Sequence, residues 1–381
     1  MEQFELIAPC HFGLESVMKR EVTDLGYDVT HVEDGKVTFA GDAQAIADAN
    51  LFLRTTERIL LKTGEFTAVT FDVLFEQTRA IPWERYIPKD GKFWVAKANS
   101  IKSRLFSPSD IQSIMKKAIV SRLQSVYGIS WFEETGASYP IRVSILKDRV
   151  TVSLDTTGVS LHKRGYRRQT AKAPISETLA AALLMLTPWS GSRILVDPFC
   201  GSGTFPIEAA MMACHMAPGM KRSFLGEEWK NLIEPSCWNN AREEAEDLVD
   251  RSVRTDIQGY DIDGEVLEAA RGNAERAGVT GLIHLQRRPV SMLSHSGSYG
   301  FIVTNPPYGE RLEEKEKLPE LYRTLGERFA LLDTWSLYLI TAFDDVERCI
   351  GRKAAKNRKI YNGMIKTYFY QYPGPRPPKR S

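Results

Sequence analysis

From Ser176 onward, short apolar runs alternate with helical stretches, and this alternation restricts the fold of the chain more than any other feature. A helix over residues 177–186 precedes 193–197, a short buried strand that ends in a glycine-rich turn. Helices over 205–214 and 237–251 lead to a strand at 257–261, and a helix over 264–277 stops at Gly278. Residues 283–285 and 300–304 read as two more strands. Parallel strands need a long crossover, usually a helix, whereas antiparallel strands can be joined by a tight turn. Repeated strand–helix–strand order therefore predicts an α/β domain with a parallel, doubly wound (Rossmann-like) sheet. The last two candidate strands, about 357–361 and 365–371, leave no room for a helix between them, so one of them should run antiparallel.

The chain before Ser176 is patterned differently. A strand at 4–8, a helix over 13–25 ending at Gly26, strands at 28–32 and 36–40 around Asp34-Gly35, and a helix from Asp42 to about Phe52 make up most of a ferredoxin-like α+β unit. We assign it residues 1–64. A strand-like run at 65–69 follows, then a helix over 73–80 stopped by Ile81-Pro82-Trp83, a strand at 93–98 and a long helix over 109–127 behind Ser107-Pro108-Ser109. A hairpin pairs 141–145 with 150–154 across Lys147-Asp148-Arg149. These form a second α/β domain, residues 65–165, and the third domain is 166–381. The length of 381 residues accommodates three domains at a prior of roughly 150 residues each.

Several classes fall away. No run of about 18 apolar residues is present to span a bilayer, and the acidic N-terminus MEQFELIAPC lacks the basic region of a signal peptide. Five cysteines, at 10, 200, 214, 237 and 349, form no CxxC pair, which predicts neither a disulfide framework nor a zinc knuckle and suits a reducing cytoplasm. His162, His215 and Cys214 read as structural or surface residues, so no metal is expected. Net charge is only +2, but its distribution is uneven. From Arg352 to the end there are nine Lys/Arg and no acid; residues 91–132 hold seven Lys/Arg against Asp110; residues 226–250 hold eight acids against Lys230 and Arg242. Separated basic segments on a near-neutral chain can serve a polyanion or form a solvated face.

Three motifs carry chemistry. Asp197-Pro198-Phe199-Cys200-Gly201-Ser202-Gly203-Thr204 joins a strand to a helix, where glycines admit a ligand to the backbone and the helix start offers unpaired N–H groups. It lacks the third glycine of a dinucleotide fingerprint (Pro206 stands there) and the Gly-Lys-Ser/Thr of a Walker A loop. Asp261, in Tyr260-Asp261-Ile262-Asp263, ends the next strand and can accept from both ribose hydroxyls of a nucleoside, while Asp263 reads as a helix cap. Asn305-Pro306-Pro307-Tyr308 follows a strand directly. Its prolines remove N–H donors and leave fixed acceptors beside an aromatic face, an arrangement suited to a planar base with an exocyclic amine.

In this order, DPFCGSGT, YDID and NPPYG resemble class I S-adenosylmethionine-dependent methyltransferases that modify exocyclic amines. Residues 100–107, SIKSRLFS, with the basic helix after them resemble a THUMP domain, an RNA-binding module. Residues 161–167, LHKRGYR, and the helix after Pro174 resemble the junction in bacterial 23S rRNA guanine-N2 methyltransferases, a likeness that covers nearly the whole chain. The resemblance implies a seven-stranded methyltransferase sheet and S-adenosylmethionine as cofactor. It implies that Asp197, Phe199, Gly201, Gly203 and Thr204 face the methionine part and that Asp261 and Ile262 take the nucleoside. Asn305, Pro306, Pro307 and Tyr308 would then hold the target base. Lys102, Arg104, Lys116 and Lys117 would contact RNA, ribosomal RNA first among the candidates. Adenine N6 as the target, tRNA as the substrate, and an RNA-binding protein with a decayed methyltransferase domain are the other readings. The family usually carries an acid after the third strand to bind the adenine amine; here that stretch is Gln286-Arg287-Arg288-Pro289-Val290-Ser291, with no acid between Glu275 and Glu310. The resemblance therefore leaves backbone or apolar contacts to hold the adenine.

Overall fold

Alternating burial along Phe4–Pro9 (β1) starts the first of two seven-stranded sheets. A computed structural model describes residues 2–167, 175–309 and 312–378. After β1 come α1 (Glu15–Asp24), β2 (Val29–Glu33), β3 (Lys36–Gly41), α2 (Ala43–Phe52), β4 (Leu60–Thr67), α3 (Phe71–Ala80), β5 (Lys92–Ile101), α4 (Pro108–Tyr127), β6 (Ser138–Leu146) and β7 (Arg149–Asp155). Side-chain caps start the helices where the sequence offers them: Asp42, Thr70 and Ser107 accept from the N–H groups of Ala45, Val73 and Asp110. Gly128, at φ +64°, ends α4 in the left-handed conformation that favours glycine.

The strand order is β2-β3-β1-β4-β7-β6-β5. Every neighbouring pair is antiparallel except β5 and β6, whose parallel pairing needs the crossover that α4 provides. One sheet therefore runs through both N-terminal segments. β4 is the join: Leu60 and Leu61 pair with Ile7 and Leu6 of β1, and Leu60 to Thr67 pair with β7 across a bulge between Lys62 and Gly64. β4 also starts at Leu60, five residues before the strand read from sequence, because the bulge breaks the alternation that would mark its first half.

The remaining elements are α5 (Glu177–Met185), β8 (Leu195–Asp197), α6 (Thr204–Ala213), α7 (Pro235–Asp247), β9 (Ile257–Asp261), α8 (Gly264–Ala277), β10 (Ile283–Arg287), β11 (Phe301–Thr304), α9 (Leu312–Ala330), β12 (Ser336–Thr341), α10 (Val346–Ile350), β13 (Lys356–Asn362) and β14 (Ile365–Tyr372). The second sheet has the order β10-β9-β8-β11-β12-β14-β13. β10 through β12 are parallel, and β14 runs antiparallel to both β12 and β13, as the short connection requires. One face packs on α5 and α6 through Leu179, Leu183, Phe205 and Ile207, and the other on α9 through Leu318, Tyr322, Leu325 and Phe329.

The chain forms two compact units. The first comprises Met1–Pro9, Lys19–Leu161 and Arg222–Glu244; the second comprises Cys10–Met18, His162–Lys221 and Ala245–Ser381. Residues 222–244, which hold five of the eight acids of 226–250, thus belong with the first sheet although they lie between β8 and β9 in sequence. Within the first unit Trp229 is fully buried, its indole N–H donates to the Ser138 carbonyl (2.9 Å), and its ring stacks on Tyr139 at 4.9 Å. Asn231 accepts from the Tyr139 hydroxyl (2.8 Å) and donates to the Tyr86 carbonyl (2.9 Å).

Candidate active site

Because β8 lies between β9 and β11, the three motifs end side by side at the carboxyl edge of the second sheet, where open α/β sheets bind ligands. They wall a cavity of about 960 Å³ that contains Asp197, Phe199, Gly201, Thr204, Asp261, Ile262, Asn305, Pro306, Pro307 and Tyr308. Gly203 does not line it. With φ +86°, Gly203 is the N-cap of α6, and a Cβ there would crowd Ala270 of α8 at 3.2 Å, so its lack of a side chain serves helix packing. Gly201, at φ +52°, lines the cavity and has open space where a Cβ would stand.

Asp197 anchors the site. Its carboxylate accepts from the Thr304 hydroxyl of β11 (2.5 Å) and the Phe199 N–H (3.1 Å), which ties the glycine turn to the strand that presents Asn305. Burial pushes its pKa up from 3.8 to about 7; the two hydrogen bonds pull the other way, and the nearby Asp261 charge adds to the rise. Asp261 accepts from the Gly201 N–H and the Asp263 N–H, both at 3.0 Å, so acid and turn hold each other in place. Asp263 caps α8 through the Glu265 and Val266 N–H groups. Burial raises the Cys200 thiol well above its ordinary value, which keeps it neutral and poorly suited to act as a nucleophile.

In Asn305-Pro306-Pro307-Tyr308 the Tyr308 hydroxyl donates to the Asn305 side-chain carbonyl and accepts from Asn362 of β13 at 3.5 Å. The Pro307 carbonyl accepts from Tyr322 of α9 (3.2 Å), which also bonds Thr341 of β12 (2.6 Å). Burial lifts the Tyr308 phenol to about 12, so it stays protonated as a donor.

Of the basic residues read from sequence, Lys102 and Arg104 are exposed on the loop after β5, and Lys117 is exposed on α4. Lys116 turns inward. Its ammonium donates to the Phe93 carbonyl, lies 3.8 Å from the Phe93 ring centroid and 3.4 Å from Glu134, and burial lowers its pKa. Cys214 is buried, and among the described residues no group of three His, Cys, Asp or Glu could hold a metal ion.

Sequence reasoning missed several parts of the site. Thr304 holds Asp197 in place. Arg167 donates to the Thr204 hydroxyl (2.5 Å) and the Ile175 carbonyl (3.0 Å), and pairs with Glu177 (3.3 Å). Glu208 of α6, fully buried, accepts from Tyr166 (3.0 Å) and lies 3.5 Å from buried Arg164. Lys317, Leu318, Glu320, Leu321 and Thr324 of α9, with Pro289, Val290 and Ser291, complete the cavity wall. The helical spacing of 317, 321 and 324 could have marked this stripe, but Pro319 and the charges around it masked the pattern.

Residues 164–371, more than half of the chain, match the RMKL-like methyltransferase domain. The chain belongs to the RMKL-like methyltransferase family. Residues 5–60 of this methyltransferase match the RlmL ferredoxin-like domain and residues 68–155 the THUMP domain. It is 48% identical over 374 residues to YpsC of Bacillus subtilis (strain 168), which is named as an RNA methyltransferase, covering 98% of this chain and 96% of that protein. It is 31% identical to the ribosomal RNA large subunit methyltransferase K/L of Dichelobacter nodosus, covering 97% of this chain but 52% of the relative. The methyltransferase thus spans about half the length of the K/L proteins it matches. Among solved structures, a protein of Clostridium difficile 630, described as a possible methylase, superposes with a TM-score of 0.96 at 50% identity over the full length of both chains. SMU.472, a methyltransferase crystallised with SAH, gives 0.93 at 42% identity over 99% of this chain and 100% of that one.

Proposed function

We propose that this methyltransferase transfers a methyl group from S-adenosylmethionine to the exocyclic N2 of a guanine in RNA, with large-subunit ribosomal RNA as substrate. One observation carries the reading: the Asp197–Thr304 hydrogen bond joins the glycine turn to the strand that ends in Asn305-Pro306-Pro307-Tyr308, so cofactor and base subsites share one cavity. The names of the K/L relatives and the THUMP match support ribosomal RNA. We take residues 1–64 as the ferredoxin-like domain, 65–165 as the THUMP domain and 166–381 as the catalytic domain.

The cavity suits the cofactor. Open space over Gly201 admits the methionine part against the backbone beside Asp197, Phe199 and Thr204, while Gly203 supports the turn from beneath. Asp261 keeps lone pairs for a ribose beside exposed Ile262, which presents an apolar face to the nucleoside. S-adenosylmethionine bound there supplies an electrophilic methyl group carried on a sulfonium.

The residues of the chain do the positioning. An aromatic amine is a weak nucleophile because its lone pair is delocalised into the ring. The Asn305 side-chain carbonyl has two lone pairs; one takes the Tyr308 hydroxyl and the other can take an amine N–H, with the Pro306 carbonyl accepting the second. Held this way, the nitrogen pyramidalises and its lone pair points along the line of attack. The Tyr308 ring stacks on a base turned out of its RNA context, and Lys102, Arg104 and Lys117 bind phosphate. Lys116, tied to the Phe93 carbonyl and Glu134, joins α4 to β5 beside them. Mass spectrometry of ribosomal and transfer RNA nucleosides from a deletion strain tests the proposal. Loss of one N2-methylguanosine from large-subunit RNA is the expected result; loss of N6-methyladenosine, or a change confined to tRNA, would refute it.

A further inference from the structure

The adenine of a cofactor seated as above needs an acceptor for its exocyclic amine, because an N–H withdrawn from water without a partner is costly. A nucleoside whose methionine end lies over β8 and whose ribose lies at Asp261 of β9 continues toward the next strand end, β10, and the Pro289–Val290–Ser291 turn behind it. That turn offers an apolar wall and one hydroxyl. Among the described residues, four acids line the cavity: Asp197, Asp261, Asp263 and Glu320. The first three are committed to Thr304 and Phe199, to Gly201, and to the cap of α8. Glu320 is exposed, and its carboxylate makes no hydrogen bond or ion pair among the described residues.

The direction of α9 sets where Glu320 stands. A Cβ on Gly309, just after the base-binding motif, would meet Lys315 and Leu318, so the helix passes that motif early. Later, Arg328 donates to the Leu293 carbonyl (2.8 Å), and Leu318, Tyr322 and Leu325 pack in one cluster with Val290 and Leu293. Glu320, Leu321 and Thr324 lie between these anchors and face the cavity, with the Thr324 hydroxyl tied to the Glu320 carbonyl (3.0 Å). We infer that Glu320 reads the adenine of the cofactor by accepting from its exocyclic amine, opposite the Pro289–Ser291 turn. The inference rests on the proposed ribose site at Asp261.

Calorimetric titration of the full chain with S-adenosyl-L-homocysteine and S-inosyl-L-homocysteine, which bears a carbonyl in place of the amine, tests this. The wild-type protein should prefer the adenosyl ligand by about tenfold to a hundredfold, the scale of one charged hydrogen bond. Glu320→Gln, whose amide can donate to the carbonyl, should weaken adenosyl binding while keeping or improving inosyl binding, so the preference collapses. Asp261→Asn should weaken both ligands equally; failure there removes the ribose reading and leaves the Glu320 ratio to be judged alone. An unchanged ratio in Glu320→Gln, loss of both ligands in that variant, or a collapse seen in Ser291→Ala and not in Glu320→Gln would each overturn the inference.

Discussion

Asp197→Asn should make the protein more stable at neutral pH while leaving it little changed below about pH 4. In the folded chain burial lifts the Asp197 carboxyl to about 7 against an ordinary 3.8. Between those values the folded state binds a proton that the unfolded chain releases, so stability falls as pH rises through the window. The gap of about three units, at roughly 1.36 kcal/mol each, amounts to about 4 kcal/mol lost by the time the group is ionised. The hydrogen bonds from Thr304 and Phe199 both fall on one carboxylate oxygen, Oδ1. Asn offers the same oxygen to Thr304 and Phe199 and an amide where the proton sits, so it mimics the protonated acid. Scanning calorimetry from about pH 3.5 to 8.5 should find the two midpoints close at the acid end and separating as pH rises through the window. Asp197→Asn should rise above wild type on the order of 10 °C at the alkaline end. Parallel profiles would refute the reasoning, since they would mean that Asp197 ionises alike in the folded and unfolded chains.

Asn305→Ala should lower single-turnover methylation by about a hundredfold to a thousandfold, the scale for losing one preorganised group, while calorimetric cofactor binding stays near wild type. Tyr308→Phe keeps the stacking ring but frees the Asn305 carbonyl, so the single-turnover rate should fall by about tenfold; an unchanged rate would show that the hydroxyl does not orient Asn305. Charge reversal at Lys102, Arg104 and Lys117 should lower RNA affinity and the steepness of its salt dependence by about one ion per lost phosphate contact in filter-binding titrations. Lys116→Glu should also lower the thermal midpoint, because its ammonium bonds the Phe93 carbonyl, lies over the Phe93 ring and pairs with Glu134.

What was legible in the sequence followed from local rules. Strand–helix alternation after Ser176 gave the parallel sheet, the short link at 362–365 gave the antiparallel hairpin, and caps such as Asp42, Ser107 and Asp263 marked helix starts. Between β11 and β13, none of α9, β12 and α10 was read. β12 is buried along its whole length and shows no alternation, and α9 carries Pro319 inside a charged run that disguises its apolar stripe. At the site, motif order brought Asp197, Asp261 and Asn305 to mind together because neighbouring parallel strands end on one edge. Thr304 and Arg167 were invisible because their roles come from contacts across the fold, with no local spacing to signal them. Lys116 shows a different limit: charge in sequence does not say whether a lysine points wholly to solvent or also lies along a ring.

The return of residues 222–244 to the first unit bears on how the protein is made. As the chain leaves the ribosome, all seven strands of the first sheet are present once Asp155 has emerged. The Tyr139 ring and the Ser138 carbonyl must still wait for Trp229, which arrives only after β8 and the glycine turn have been synthesised. A fragment ending at Leu161 would leave that apolar face uncovered, and Phe-or-Trp-to-Ala losses of about 3–5 kcal/mol give the scale of what it lacks. Expressed alone, such a fragment should be prone to aggregate, and the shortest N-terminal piece that folds well should extend to Glu244. Cleaving this protein at a single bond cannot yield its two units intact.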